Sequence, residues 1–205
     1  MAAALIVVTA LAASTNWWSR ATDRDSVERW SKPLTTLGVV AIALANDAPV
    51  VDRMIVAAAL TLCLIGDIAL LPHIDRFVVG LGAFLTAHVV FIAVFVRRGL
   101  DDLALAGIAL LLTAGVVGSV GLGVVRGAAR RRLAGPVVGY FLAISAMLVV
   151  AWATGDPWLI VGATAFVVSD SILGWREFVR PIRAGSVLVM VTYHVAIGSL
   201  ALSLW

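Results

Sequence analysis

The feature that most constrains the fold is a series of eight apolar segments separated by short polar loops. A helix that spans a bilayer needs about 20 mostly apolar residues, and each segment is close to that length. The predicted helices are Ala2–Trp18, Ser26–Ala45, Arg53–Leu71, Phe77–Val96, Leu103–Val125, Pro136–Thr154, Pro157–Trp175 and Ala184–Trp205. The sequence therefore predicts an all-α, polytopic membrane protein with eight transmembrane helices, forming a single integral membrane domain over residues 1–205.

Composition excludes a water-soluble globule. The chain is 62% hydrophobic and 13% charged, whereas a soluble domain has roughly 25% charged residues. Its pI of about 9.7 would suit nucleic acid, but the basic residues lie in short loops between apolar segments. We therefore expect the lipid bilayer as partner and no nucleic acid. Cys63 is the single cysteine, so no internal disulfide can form.

The distribution of basic residues predicts the topology. Twelve of the 15 Lys and Arg residues lie in or beside the first, third, fifth and seventh loops, and only Arg53, Arg97 and Arg98 lie on the other side. Cytoplasmic loops carry the excess of Lys and Arg, so both termini are expected outside a multi-pass plasma-membrane protein. The first segment could instead be a signal peptide, although no basic residue precedes its apolar run.

Two aspartates interrupt apolar segments. Asp67 lies in the run from Met54 to Leu71, and Asp170 is flanked by Ser169 and Ser171. A carboxylate at membrane depth is costly and is a functional-site hypothesis by default. The simpler alternative is that each carboxylate only reaches the interface or caps a neighbouring turn.

The two aspartates also suggest an internal repeat. They are 103 positions apart, as are Pro33 and Pro136, and a three-residue slip brings His88 onto His194. Four helices in each half give both halves the same orientation, so we expect a parallel 4+4 repeat of residues 1–102 and 103–205. A coincidental offset between unrelated halves is the alternative.

Helical rise places the polar groups at two levels. At ~1.5 Å per residue, Asp67 and Asp170 lie ~6–7 Å from the cytoplasmic helix ends, and His88 and His194 lie ~15–17 Å inside. Lys32 lies at the cytoplasmic boundary. The histidines could be structural residues that bridge helices, and Lys32 could be an ordinary topology charge.

Small residues recur on one face of the fifth helix, at Gly115, Ser119, Gly123 and Gly127. Such a face lets helices approach closely. We expect it to pack within the chain, and a homodimer contact is the alternative.

Several sequence elements together resemble the YhhN-like lysoplasmalogenase family of polytopic membrane proteins. They are Lys32-Pro33-Leu34, Gly66-Asp67-Ile68-Ala69-Leu70, Gly80-Leu81-Gly82-Ala83-Phe84-Leu85-Thr86-Ala87-His88, Gly162-Ala163-Thr164-Ala165-Phe166-Val167-Val168-Ser169-Asp170-Ser171 and Tyr193-His194. The resemblance implies hydrolysis of the vinyl ether bond of lysoplasmalogens to a fatty aldehyde and glycerophosphoethanolamine or glycerophosphocholine. It implies that Asp67 and Asp170 are the catalytic pair, and that neither metal nor cofactor is needed.

The residue types suit that chemistry. Protonation of the β-carbon gives an oxocarbenium ion, which water attacks, so one protonated acid and one carboxylate are needed, as in glycosidases. Two aspartates in a desolvated site can supply both, because burial and like-charge proximity favour keeping one of them protonated. The sequence does not tell which one. The candidate substrate-binding residues are Lys32, which could hold the phosphate, and His88, Ser169, Tyr193 and His194. Tyr140 and Tyr193 could equally be packing residues.

Two other functions use the same residue types. A metal-dependent membrane lipid hydrolase could bind zinc with two Asp and two His, but no close ligand spacing exists in the sequence. A proton-coupled lipid or solute transporter also uses repeats and buried carboxylates, but eight helices are few for that task.

Overall fold

A computed structural model describes residues 2–205, which form eight helices and no strand. The helices are α1 (Ala2–Ala21), α2 (Asp25–Leu44), α3 (Val50–Ala69), α4 (Phe77–Arg98), α5 (Leu103–Arg130), α6 (Ala134–Ala153), α7 (Pro157–Phe178) and α8 (Gly185–Leu202). The all-α prediction is confirmed, and each predicted segment lies on one helix. The observed helices α5 and α7 extend further at their carboxyl ends than predicted.

Five helices, α4 to α8, are long and apolar enough to cross a membrane by length and composition. Helices α2 and α3 carry more charge, including Lys32 in α2 and Asp52, Arg53 and Asp67 in α3. Large apolar side chains cover the outside of the bundle, and Leu103 and Leu111 are more than 70% exposed. Such a surface matches lipid, so the chain is an integral membrane protein.

Most helices that follow one another in the chain pack antiparallel, and the bundle encloses a core of large apolar side chains. Helix α3 packs along α4, and α7 packs along α8, while α8 also contacts α1 and α2, and α4 contacts α6. Phe91, Phe95, Phe166 and Met147 are fully buried where these helices meet. This arrangement brings the polar residues of α2, α3, α7 and α8 together inside the bundle.

Helix α5 lies at the edge of the bundle and contains a π-helical segment, Val117–Gly121. On the carboxyl-terminal side of this segment, Gly123 faces Trp175 and Gly127 faces the backbone of Phe178, so α5 approaches α7 closely. On the amino-terminal side of the segment, Gly115 has open space where a side chain would be, and within the segment Ser119 is exposed. The predicted packing face is therefore confirmed at Gly123 and Gly127, whereas Gly115 and Ser119 take no part in it.

Local signals fix where α7 begins. The side chain of Asp156 accepts hydrogen bonds from the backbone N–H groups of Trp158 (2.8 Å) and Leu159, and Pro157 occupies the first turn. Both are favoured at helix amino termini, where N–H groups lack helical partners. With its start fixed, α7 carries Asp170 between three and four turns further on, toward the opposite end of the bundle.

Candidate active site

A polar cavity of about 200 Å³ opens where α1, α3 and α7 end and α2, α4 and α8 begin. We call it the polar cavity. The described polar residues that line it are Arg20, Glu28, Lys32, Asp67, Asp75, Ser169, Asp170, Arg176, Glu177, Ser186 and Tyr193. It therefore lies at the end of the bundle that carries the basic, odd-numbered loops, and both predicted catalytic aspartates line it.

Asp67 is fully buried and surrounded by donors. The Thr36 hydroxyl donates to Oδ2 at 2.5 Å, and the Tyr193 hydroxyl donates to the same oxygen at 2.7 Å. Lys32 Nζ lies 3.4 Å from Oδ1, at ion-pair distance, with both side chains at least 95% buried. A cation and two hydroxyl donors, supplied by α2 and α8, match an ionised carboxylate.

Asp170 has different neighbours. The Tyr140 hydroxyl of α6 donates to its Oδ2, and His88 Nε2 of α4 lies 4.0 Å from the same oxygen. No cation is paired with Asp170 among the described residues. The His88 ring also packs in a T-shaped arrangement with the rings of Tyr140 and Phe166, with ring centroids 5.2 and 4.7 Å away. The two carboxyl groups therefore differ in charge environment, although they share one cavity.

Three of the predicted substrate-binding residues lie close to the aspartates. Lys32 and Tyr193 contact Asp67, and His88 lies beside Asp170. His88 thus approaches Asp170 although the helical rise along the sequence placed the two residues at different depths. His88 is fully buried, and neither ring nitrogen finds a hydrogen-bond partner within residues 2–205.

The other two predicted substrate-binding residues, Ser169 and His194, make hydrogen bonds to groups other than the aspartates. The Ser169 hydroxyl donates to the carbonyl of Val189 at 3.1 Å, and no hydrogen bond joins it to the neighbouring Asp170 in the described part of the chain. His194 Nδ1 accepts from Trp17 Nε1 at 2.9 Å and so links α8 to α1. His194 lies against a separate groove and makes no hydrogen bond to either aspartate in the described chain.

Two site residues were not identified from the sequence. Thr36 lies four residues after Lys32, on the same face of α2, and that spacing was the available signal. Tyr140 was explained as a packing residue, but its hydroxyl bonds to Asp170. Nothing in the spacing of the sequence distinguishes Tyr140 from the neighbouring packing residues of α6.

Within residues 2–205, no group of three or more His, Cys, Asp or Glu side chains is placed to hold a metal ion. The atoms nearest the two carboxyl groups belong instead to hydroxyls, an ammonium group and one imidazole. This donor set suits proton transfer and charge stabilisation.

A narrow apolar groove of about 60 Å³ adjoins the polar cavity and lies between α4, α5, α6 and α7. We call it the chain groove. Residues that line both spaces are Leu70, Phe77, Phe84, Asp170 and Leu173. Asp170 thus lies at the junction of the two, whereas Asp67 lines the polar cavity alone. A separate groove of about 200 Å³, which we call the second groove, lies between α1, α2 and α8.

Comparison with known proteins identifies similar sequences. The model of the YhhN family matches residues 27–204. A protein named lysoplasmalogenase from Mycobacterium bovis (strain ATCC BAA-935 / AF2122/97) is 35% identical over 124 residues, which are 58% of this chain and 48% of that protein. The human protein named lysoplasmalogenase TMEM86B is 31% identical over 140 residues, which are 67% of this chain and 58% of that protein.

The matched region spans about half the length of these curated relatives. A lysoplasmalogenase from Mycobacterium tuberculosis (strain CDC 1551 / Oshkosh) matches to the same extent as the M. bovis protein. No solved structure is significantly similar to the chain.

Proposed function

The chain belongs to the YhhN family, and on that premise we propose that it is an enzyme that hydrolyses the vinyl ether bond of lysoplasmalogens. The products are a fatty aldehyde and glycerophosphoethanolamine or glycerophosphocholine. The observation that carries the proposal is the placement of Asp67 and Asp170, from two different helices, in one cavity that adjoins an apolar groove. The names of the relatives agree with this activity.

The neighbours of the two aspartates support different roles. Asp67 faces Lys32 and two hydroxyl donors, so it is the ionised carboxylate. Asp170 has no paired cation within residues 2–205, and the Tyr140 hydroxyl donates to its Oδ2, so its other oxygen can carry the proton. Asp170 is therefore the general acid. Its position at the mouth of the chain groove suits this role, because the carbon that takes the proton lies on the hydrocarbon side of the vinyl ether.

The reaction then balances with these two groups alone. Asp170 gives its proton to the β-carbon, and the Asp67 carboxylate stabilises the oxocarbenium ion that forms. Water adds to the α-carbon and passes a proton to Asp67, leaving a hemiacetal. Asp67 returns that proton to the departing glycerol oxygen, while the hemiacetal hydroxyl gives its proton to Asp170. The C–O bond breaks, the aldehyde forms, and both aspartates recover their starting states.

The mouth of the polar cavity suits a phosphate headgroup. Arg20 and Arg176 line it, and Arg20 is paired with Glu28 at 2.6 Å and Asp25 at 3.1 Å. Arg176 makes no ion pair with the described residues. We assign the lysolipid phosphate to Arg176, with Lys32 deeper in the cavity as the second positive charge near the bond to be cut.

We also propose that all eight helices cross the plasma membrane, with both termini outside and the polar cavity facing the cytoplasm. The bias of basic residues toward the odd-numbered loops supports this orientation.

A parallel 4+4 repeat is supported by matched packing between the two halves. Helix α3 contacts α4 as α7 contacts α8, and α2 contacts α8 as α6 contacts α4. Asp67 and Asp170 then hold equivalent places in the two halves.

The deciding experiment incubates purified protein with alkenyl, alkyl and acyl lysolipids side by side. Only the alkenyl lipid should release aldehyde, and Asp67→Asn and Asp170→Asn should each abolish that release while the protein stays folded in the membrane. Asp52→Asn is the matched control, because Asp52 pairs with Arg97 at the opposite end of the bundle. Unchanged aldehyde release in either site variant would refute the mechanism. Solute flux into proteoliposomes without product would identify a transporter instead.

A further inference from the structure

We propose that the chain groove between α4, α5, α6 and α7 is the binding site of the lysolipid's alkenyl chain, in preference to the larger second groove. The inference rests on the proposed function, because it names where that substrate's hydrocarbon lies. It adds a specificity site on α5 and α6, outside the aspartate pair.

The first support is continuity with the polar cavity. Asp170 lines both spaces, and Phe77 and Phe84 of α4 form part of both walls. In a lysoplasmalogen the vinyl ether joins the polar glycerol to the chain. A headgroup in the polar cavity therefore puts the first chain carbons at Asp170 and the remaining methylenes in the chain groove.

The second support is the length and lining of the groove. Along α5 it extends from Val124 to Thr113, which is about 16 Å at ~1.5 Å per residue. That is about half of a bilayer's ~30 Å hydrocarbon thickness, the depth of one leaflet's chains. The walls are mostly apolar and include Val116, Phe141 and Ile144.

The groove is narrow, so a chain must widen it. Its α5 wall includes Val117, the first residue of the π-helical segment Val117–Gly121. Such segments are uncommon and occur frequently at functional sites. Gly118 in this segment has no neighbour within 4 Å of where a side chain would start, so this part of α5 has space in which to shift.

The second groove lacks the link to the chemistry. Among the described residues that line it there is neither aspartate, and Trp17 and His194, which do line it, are hydrogen-bonded to each other. It is nevertheless a close structural counterpart. Three pairs of residues that are 103 positions apart line the two grooves: Thr113 and Ala10, Val116 and Ala13, and Ser145 and Ile42. Substitutions in the second groove therefore serve as matched controls for substitutions in the chain groove.

The first test compares bulky substitutions in the two grooves. Val116→Trp and Ser145→Phe are expected to reduce aldehyde release from a long-chain alkenyl lysolipid roughly tenfold, a loss of about 1.4 kcal/mol in transition-state binding. They should leave release from a short-chain substrate, whose tail ends before Val116, nearly unchanged. The matched Ala13→Trp and Ile42→Phe should change neither rate. Equal loss on both chain lengths, or loss only in the second-groove variants, would overturn the assignment.

The second test needs neither turnover nor a variant. A non-cleavable alkyl lysolipid with a diazirine at its chain end is bound to the wild-type protein and irradiated, and the labelled residues are mapped by mass spectrometry. Labels on Thr113, Val116 or Ile144 support the chain groove. Labels on Ile42 or on the exposed Leu111, or no specific label, overturn it. Failure of the proposed function alone would differ, with label in the chain groove and no aldehyde from any substrate.

Discussion

Replacing Lys32 by Met should destabilise the protein more than any surface charge change, because it leaves Asp67 buried without its cation. The Lys32 and Asp67 side chains are 5% and 1% exposed, and Nζ lies 3.4 Å from Oδ1. Breaking a buried pair from one side costs about 3–5 kcal/mol. Thr36 and Tyr193 still donate to the carboxylate, and the polar cavity can admit water, so we expect the lower end, about 3 kcal/mol.

The double variant Lys32→Met/Asp67→Asn separates pairing from packing. Asn keeps the size of Asp but carries no charge, so the double variant should lose only about 1 kcal/mol relative to the wild type. The coupling between the two positions is then about 2 kcal/mol or more in a double-mutant cycle. The measurement is equilibrium unfolding of the purified protein in detergent, followed by tryptophan fluorescence.

Arg97 and Asp52 provide the matched control, since their ion pair is short, at 3.0 Å, but the Arg97 side chain is 50% exposed. Arg97→Gln should cost under about 1 kcal/mol, as exposed pairs do. Additive effects at Lys32 and Asp67, with a coupling below about 0.5 kcal/mol, would refute the view that Lys32 neutralises Asp67 inside the bundle.

Two further measurements test the packing and the topology. Gly127→Ala should destabilise the protein by about 1–3 kcal/mol, because its new methyl group would overlap the Phe178 carbonyl. Gly107→Ala, which meets open space in the same helix, should be neutral or slightly stabilising in the same unfolding assay. Equal costs at both positions would contradict the close approach of α5 and α7. A membrane-impermeant maleimide on intact cells should label Asp101→Cys and not Arg130→Cys, with buried Cys63 silent in both, and the reverse pattern would invert the proposed orientation.

The helices were predictable because the membrane imposes a simple rule. Each spanning segment must satisfy its own backbone hydrogen bonds and present apolar side chains to lipid, so apolar run length locates the helix. Helix ends were less predictable. The α7 helix continues past Trp175 to Phe178, carrying Arg176 and Glu177 into the cavity wall, and hydropathy alone does not mark that end.

The sequence pointed to the two aspartates and to Tyr193, but not to Thr36 and Tyr140, the other two hydroxyl groups that bond to the aspartates. Asp67 and Asp170 were identifiable because ionisable groups in apolar runs are costly. Thr36 and Tyr140 were not, because Thr and Tyr are common in membrane helices and their hydroxyls can also bond within their own helix or remain at the surface. Which hydroxyl meets which carboxyl group depends on how α2 and α6 are rotated against their neighbours. That rotation is set by packing across the bundle, and a single sequence does not report it.

The hydrogen bond from Tyr193 to Asp67 joins α8 to α3. During synthesis, Asp67 is therefore made well before one of its three partners. Until α8 arrives, the nascent chain holds a carboxyl group that is short of a donor, and a chain that stops before α8 stays in that state. The donor set of Asp67 is thus complete only once α8 has been made.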